Sequence, residues 1–139
     1  MFLNYLNEEE KLASLSLFAH IIDADNEYQP DEFESFQDLC KELRNFYFDY
    51  NYRMSEREIF DFFKNSDPKI KKIILFECIS LINADNEVAK AEVELLNRFA
   101  ENIGESKNTI NKLKDLYNNL LVAENNATNF VFTKTGRSK

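Results

Sequence analysis

The sequence contains one tetrapeptide, ADNE, twice: at residues 24–27 and again at residues 84–87, each time after an apolar run. The similarity continues on both sides of the tetrapeptide, because apolar residues 60 positions apart, such as Ile21 and Leu81, coincide along both flanks. A match of this length covers a helix, a corner and a second helix, so the repeated unit is a helical hairpin. Two such hairpins in one short chain predict a pseudo-symmetric helical bundle.

The composition favours the same class of fold. The 139 residues include two Gly and two Pro, whereas strand-rich domains need many tight turns. Hydrophobic residues make up 44% of the chain, which is enough to form a core. We therefore predict one all-α domain over residues 1–123, a single bundle of about six helices built from two pseudo-symmetric hairpins. Residues 124–139 are predicted to form a polar, flexible tail.

Local signals mark where the predicted helices begin and end. Proline is favoured at the first helical position, and a Ser or Asp before a helix can accept a hydrogen bond from its first turn. The signals are Pro30, Ser55, Asp67, Pro68 and Ser106 at helix starts, and Gly104 at a helix end. The helix that follows Pro68 is apolar around most of its circumference, which predicts that it is the most buried element.

Each copy of the tetrapeptide can be explained as a corner between two helices. Asn26 and Asn86 fall where the first helix of each hairpin ends, and Asn adopts positive φ more readily than most residues, so each can replace Gly there. Glu32 and Glu92 fall in the first turn of the next helix, where the helix dipole favours a carboxylate. A corner therefore needs no ligand to account for these four residues.

Both corners carry more carboxylates than a corner requires. Acidic side chains at the C-terminal end of a helix meet a partial negative charge, and a nearby cation would relieve that repulsion. Carboxylate oxygens are also the ligands that Ca²⁺ and Mg²⁺ prefer. The candidate metal ligands are Asp23, Asp25, Glu27 and Glu32 at the first corner, and Asp85, Glu87 and Glu92 at the second. The alternative is that these acids face solvent and are screened by salt.

The segments INADNEVAKAE at residues 82–92 and IIDADNEYQPDE at residues 21–32 resemble the signature of the tellurite-resistance TerB-like domains. In that signature an apolar helix ends in Ala-Asp-Gly, followed by an acidic or polar residue, an apolar residue and, four positions on, a Glu. Asn26 and Asn86 stand here in place of the Gly. The resemblance covers about residues 8–123. It implies an all-helical domain whose acidic corners bind divalent cations in a stress-response setting, and it implies no enzymatic activity.

Charge and motifs exclude several classes of function. A net charge of −8 and a pI of about 4.7 argue against a surface that binds nucleic acid or anionic membranes, which requires clustered Lys and Arg. We find no signal peptide, no stretch of ~18 apolar residues, and no phosphate-loop, zinc or nucleophile motif, so we expect a cytoplasmic protein without membrane insertion or catalytic activity.

We therefore predict a non-enzymatic TerB-like module that binds a divalent cation or an unknown protein partner through its acidic corners. The alternative is a protein-interaction or adaptor domain whose corners are purely structural.

Three further features have structural interpretations. Cys40 and Cys78 lie in apolar helical patterns and are expected to be reduced core residues. His20, the only histidine, is expected to be a hydrogen-bonded helix residue. The aromatic segment at residues 45–53 is expected to fill the core as a connector, with a partner-binding surface as the alternative. If this segment is extended, one side of it carries Phe46, Phe48, Tyr50 and Tyr52.

Overall fold

A computed structural model of the chain describes residues 1–24, 30–43, 46–84 and 88–133, with the side chains of the second range described from Glu34 onward. These ranges contain six α-helices, two short 3-10 turns and no strand, so the prediction of an all-α protein is confirmed for them. The helices are α1 Glu8–Asp23, α2 Pro30–Glu42, α3 Glu56–Lys64, α4 Pro68–Ile82, α5 Lys90–Asn102 and α6 Lys107–Phe132; the 3-10 turns are Leu3–Tyr5 and Tyr50–Tyr52.

The helices begin and end where side chains satisfy the backbone groups that a helix end leaves unpaired. Ser55 accepts a hydrogen bond from the Glu58 N–H, and the Glu58 carboxylate accepts one in return from the Ser55 N–H, which forms the predicted capping box of α3. Asp67 accepts from Lys69 N–H at 2.8 Å at the start of α4. Gly104 has φ 81°, the left-handed conformation predicted for it. The predicted caps are therefore confirmed, whereas Asn26 and Asn86 lie outside the described residues.

The core is built around α4. Ten of its fifteen residues are buried, compared with nine of the sixteen residues of α1, the next most buried helix among those with all side chains described. A helix that is apolar on most sides needs neighbours on most sides, and α4 contacts α1, α2, α5 and α6. The prediction that this helix is the most buried element is confirmed. Aromatic rings fill the space between its neighbours, and Phe18, Phe63 and Phe99 are fully buried.

The two helix pairs keep the spacing of the sequence repeat. α1 and α4 begin at Glu8 and Pro68, and α2 and α5 begin at Pro30 and Lys90. Each first helix contacts its own second helix and the second helix of the other pair, because α1 contacts α2 and α5, and α4 contacts α5 and α2. α3 then lies against α1, and α6 lies against α4.

The last helix is longer than expected. The flexible tail was predicted to begin at Glu124, but residues 124–132 continue α6. No Gly or Pro occurs between Glu105 and Thr135 to end the helix, which explains its length. Within α6, Ile110 is buried, Leu113 and Tyr117 are half-buried, and every residue from 118 to 133 is exposed. This second half of the helix extends about 22 Å at 1.5 Å per residue. The boundary of the domain itself stays a prediction.

A pair of Phe→Ala variants tests this arrangement of core and projecting helix. Phe63 packs edge-on against Phe99, with ring centroids 5.8 Å apart, so Phe63→Ala should lower the free energy of unfolding by about 3–5 kcal/mol. Phe132 is exposed, so Phe132→Ala, the matched control, should change it by less than about 0.5 kcal/mol. Urea denaturation followed by circular dichroism measures both. Equal losses in the two variants would contradict the placement of these rings.

Candidate functional site

At the first corner a positively charged side chain, Arg53, lies beside the candidate metal ligand Asp23. Asp23 is the last residue of α1, and its Oδ2 lies 2.7 Å from Nη1 of Arg53. The Tyr50 hydroxyl donates to Asp23 Oδ1 at 2.9 Å. The guanidinium of Arg53 also lies 4.8 Å from the centroid of the Tyr50 ring. Both oxygens of this candidate metal ligand therefore have a partner from within the chain, and a metal ion at Asp23 would have to displace an ion pair.

The segment that supplies these partners, the connector at residues 46–54, is held along one face of α1. The Met54 N–H donates to Ser16 Oγ at 3.0 Å, and His20 Nε2 donates to the Met54 carbonyl at 2.8 Å. Ser16, His20 and Asp23 recur every three or four residues, so they lie on the same side of the helix. Ser16 is fully buried, and its hydrogen bond satisfies a polar group in an otherwise apolar region. His20 is thus a hydrogen-bonded helix residue, as predicted.

The aromatic rings of the connector divide between core and surface. Phe48 and Tyr50 both pack edge-on against Phe36 of α2, with ring centroids 5.9 and 5.7 Å apart, and Phe46 also packs against the core. The core-filling interpretation is confirmed for these three rings of the connector. It is wrong for Tyr52, which is 84% exposed. Residues 50–52 form a 3-10 turn rather than an extended strand, so the alternation of sides ends there.

The remaining candidate ligands are described only in part. Asp25, Glu27, Asp85 and Glu87, and the side chain of Glu32, lie outside the described residues. Glu92 is fully buried in the first turn of α5, a position where the helix dipole favours a negative charge. Within the described ranges, no three His, Cys, Asp or Glu side chains are grouped closely enough to hold a metal ion. The metal-site prediction therefore stays untested at both corners.

The cysteines carry no candidate chemistry. Cys40 and Cys78 are both free thiols, as predicted, and Cys78 is fully buried on α4. Burial raises the pKa of each thiol above its ordinary value of 9.0. A thiol with a raised pKa is mostly protonated at neutral pH and is a poor nucleophile or metal ligand.

A groove of about 780 Å³ lies between α4, α6 and the N-terminal 3-10 turn. Its apolar lining is Phe2, Tyr5, Ile73, Phe76, Leu113, Leu116 and Leu120, and its remaining lining residues are Lys69, Lys72 and Asn119. The N-terminal wall is anchored on α4, because the Phe2 N–H donates to Glu77 Oε1 at 3.1 Å and the α-ammonium of Met1 lies 3.1 Å from the same oxygen. Glu77 is 2% exposed. The groove is therefore apolar, and its charged lining residues are both basic.

The apolar wall that α6 contributes continues beyond the groove. Its residues follow an alternating spacing of three and four, which places them along one stripe of the helix. We call this the α6 stripe; it consists of Leu113, Leu116, Leu120, Ala123, Ala127 and Phe130. Leu116 is 42% exposed and Phe130 is 82% exposed. The first half of the stripe lines the groove, and the second half is exposed.

Neither the groove nor the second half of the α6 stripe was among the predicted sites. The spacing of the stripe is visible in the sequence, but the predicted domain boundary at residue 123 separates its two halves. The groove depends on how α6 crosses α4, a long-range feature that local patterns do not contain. No helix in the described part of the chain, the long α6 included, combines the length and the apolar composition needed to cross a membrane.

The Asp23 cluster predicts an unusual tyrosine titration. Burial, followed by the hydrogen bond to Asp23 and the charge of Asp23, raises the pKa of Tyr50 from 10.0 to about 12, although Arg53 acts in the opposite direction. A raised pKa means that the protonated phenol stabilises the fold. This contribution is fully present below pH 10 and is lost as the pH rises through about 12.

The difference in phenolate absorbance between wild type and Tyr50→Phe should therefore titrate near pH 12. Asp23→Asn should lower the pKa of Tyr50, because the hydrogen bond to a charged carboxylate and its negative charge are both lost. A Tyr50 titration at its ordinary value in the wild type would show that the hydroxyl is not held against Asp23.

Comparison with known proteins assigns no family to this chain. Its sequence matches no protein-family model, and no curated protein and no solved structure is significantly similar to it.

Proposed function

We propose that this chain is a non-enzymatic protein-interaction module that binds an apolar helix in the groove between α4, α6 and the N-terminal turn. The observation that carries the proposal is the exposed apolar surface of the groove, which continues along the α6 stripe. Contiguous apolar surface of this kind marks interaction sites in soluble proteins, whereas single exposed apolar residues do not. Leu116, Leu120 and Tyr5 are large and exposed, and all three line the groove.

The shape and chemistry of the groove favour a helix as its occupant. Its floor, Ile73 and Phe76, lies on one helix and its long wall on another, so an added helix would pack against two helices as in a bundle. Aromatic and aliphatic side chains at intervals of one turn are the usual anchors of such binding. Lys69 and Lys72 border the apolar surface, and they disfavour a partner with basic residues at that edge.

We propose cation binding at the corners as a second function, in keeping with the TerB-like resemblance, and we assign it to the second corner. At the first corner Arg53 already neutralises Asp23. Asn83 occupies the equivalent position at the second corner, and its side-chain amide donates to the Ile79 carbonyl at 2.7 Å. Asn83 is uncharged and so forms no counterpart of the Asp23–Arg53 pair at that position. In this proposal a Ca²⁺ or Mg²⁺ ion binds at the second corner through Asp85, Glu87 and Glu92.

We infer further that the two hairpins, α1–α2 and α4–α5, are copies of one unit related by a pseudo-twofold axis in a single bundle. Support comes from the 60-residue spacing between the starts of equivalent helices. Further support is that the first helix of each hairpin contacts the second helix of the other. In this arrangement α3 and α6 are the third helices of the two units. α6 is the longer of them, and its extra length is what the proposed interaction uses.

A groove variant with a matched control tests the interaction. Leu116→Lys places a charge in the apolar lining, whereas Leu121→Lys makes the same change at a similarly exposed position outside the lining. Burying an unpaired charge should weaken binding at least about tenfold, equivalent to about 1.4 kcal/mol. Tagged full-length protein is used to capture proteins from the cells that express it, and bound proteins are quantified by mass spectrometry. A partner that is lost with Leu116→Lys and kept with Leu121→Lys is the expected result; if no bound protein depends on Leu116, the proposal is wrong.

Calorimetry with Ca²⁺ and Mg²⁺ tests the second function. An open corner should bind Ca²⁺ weakly, with a Kd on the order of 10⁻⁴ M or higher. Asp85→Asn should abolish the heat of binding, whereas Asp25→Asn should leave most of it, because at the first corner Arg53 already neutralises Asp23. Asp115→Asn, which removes an acid from the exposed face of α6, is the matched control, and sodium chloride at equal ionic strength controls for screening. If millimolar cation gives no heat, or Asp85→Asn leaves the heat unchanged, the corners are purely structural.

A further inference from the structure

The second half of the α6 stripe is an exposed apolar surface, and the groove is an apolar surface that an added helix would cover. The second half of the stripe belongs to α6, the helix that also forms one wall of the groove. Residues 118–132 therefore cannot reach the groove of their own chain without breaking α6. We propose that the groove binds α6 of a second copy of this chain, so that two α6 helices pair antiparallel in a twofold-symmetric dimer. This inference rests on the proposed function and names the partner at that site.

The α6 stripe is complementary to itself in this orientation. In antiparallel helix pairs with this alternating spacing, the stripe residues of one helix face those of the other in successive layers. One register uses every member of the stripe: Leu113 faces the partner's Phe130, Leu116 faces the partner's Ala127, and Leu120 faces the partner's Ala123. Each large Leu near the centre thus meets a small Ala, so the helices can approach closely without leaving a cavity. A twofold axis between residues 121 and 122 relates the two copies, as an isologous interface requires.

The same register fills the groove. The first turns of the stripe line the groove beside Phe76, Phe2 and Tyr5. The partner's Phe130 would therefore lie against Leu113 and the aromatic wall of the groove, and a ring that is 82% exposed in the monomer would become buried. Because of the twofold symmetry this burial occurs at both ends of the paired helices.

Charge favours a second copy over other occupants. Charged residues make up 30% of the chain, but Glu124 is the only one between Asn118 and Thr133. Two molecules that each carry a net charge of −8 repel one another, and the projecting half of α6, with a single charged residue, is the surface through which they can meet at least cost. Salt screens the repulsion between the two bodies and leaves the apolar contact intact, so association should tighten as the sodium chloride concentration rises.

Sedimentation equilibrium of the full chain tests the dimer. The wild type should approach a mass of about 33 kDa, twice the 16.4 kDa of one copy. Ala123→Glu places two like charges near the twofold axis and should raise the dissociation constant at least about tenfold. Asn125→Glu introduces the same residue on the opposite face of α6 and should leave the dimer intact. Circular dichroism checks that all three proteins keep their helix content; residue 123 is exposed and lies far from the core.

A pair of cysteine variants tests the register. Leu120→Cys in one copy and Ala123→Cys in the other, each in a Cys40→Ser background, should form a mixed disulfide when combined under mild oxidation. A parallel pair of α6 helices would instead join each variant to itself. Cys78 is fully buried and does not compete.

The outcomes separate this inference from the proposed function. A wild type that stays monomeric at millimolar concentration, a dimer unaffected by Ala123→Glu, an association that weakens with salt, or disulfides within each variant only would each overturn the antiparallel dimer. If the dimer is overturned but a captured partner still depends on Leu116, the groove binds a different protein and the proposed function stands. A dimer that responds to Ala123→Glu but not to Asn125→Glu, with mixed disulfides, establishes the second copy as the occupant.

Discussion

The burial of α4 on nearly all sides is the constraint from which the rest of the fold follows. A helix with this much apolar surface must be enclosed, and α1, α2, α5 and α6 each cover part of it. The cover is incomplete where α6 crosses it, because the N-terminal turn and α6 leave Ile73 and Phe76 at the bottom of an open groove. Glu77, a buried carboxylate on the same helix, holds the N-terminal wall of that groove through the backbone of Phe2. The proposed interaction site is thus a gap in the enclosure of the central helix.

α1 differs from α4 because it carries polar side chains on a face that packs against another segment of the chain. Ser16 and His20 would be costly in an apolar environment without partners. The backbone of Met54 provides a partner for each of them, and Asp23 meets Arg53 and Tyr50 one turn further on. The connector is therefore a polar complement to α1 on one side, while its rings pack against Phe36 on the other.

Much of the fold could be predicted from the sequence, because helix starts, helix ends and amphipathic faces are local properties. The capping box at Ser55 and the positive φ of Gly104 are examples. The pairing of Asp23 with Arg53 could not be predicted, since it joins residues far apart in sequence and depends on the path of the connector. The exposure of Tyr52 was missed for a similar reason, because a short 3-10 turn replaced an extended segment. α6 was cut short where its composition becomes polar, although no residue there breaks a helix.

The ion pair between Asp23 and Arg53 has a consequence for how the protein depends on its surroundings. A counterion that is part of the chain is present at a constant effective concentration, whatever the composition of the solution. The charge of Asp23 is thereby balanced independently of the supply of divalent cations. A single Arg in the connector is therefore enough to balance the carboxylate at the end of α1, whether the surrounding solution is rich or poor in divalent cations.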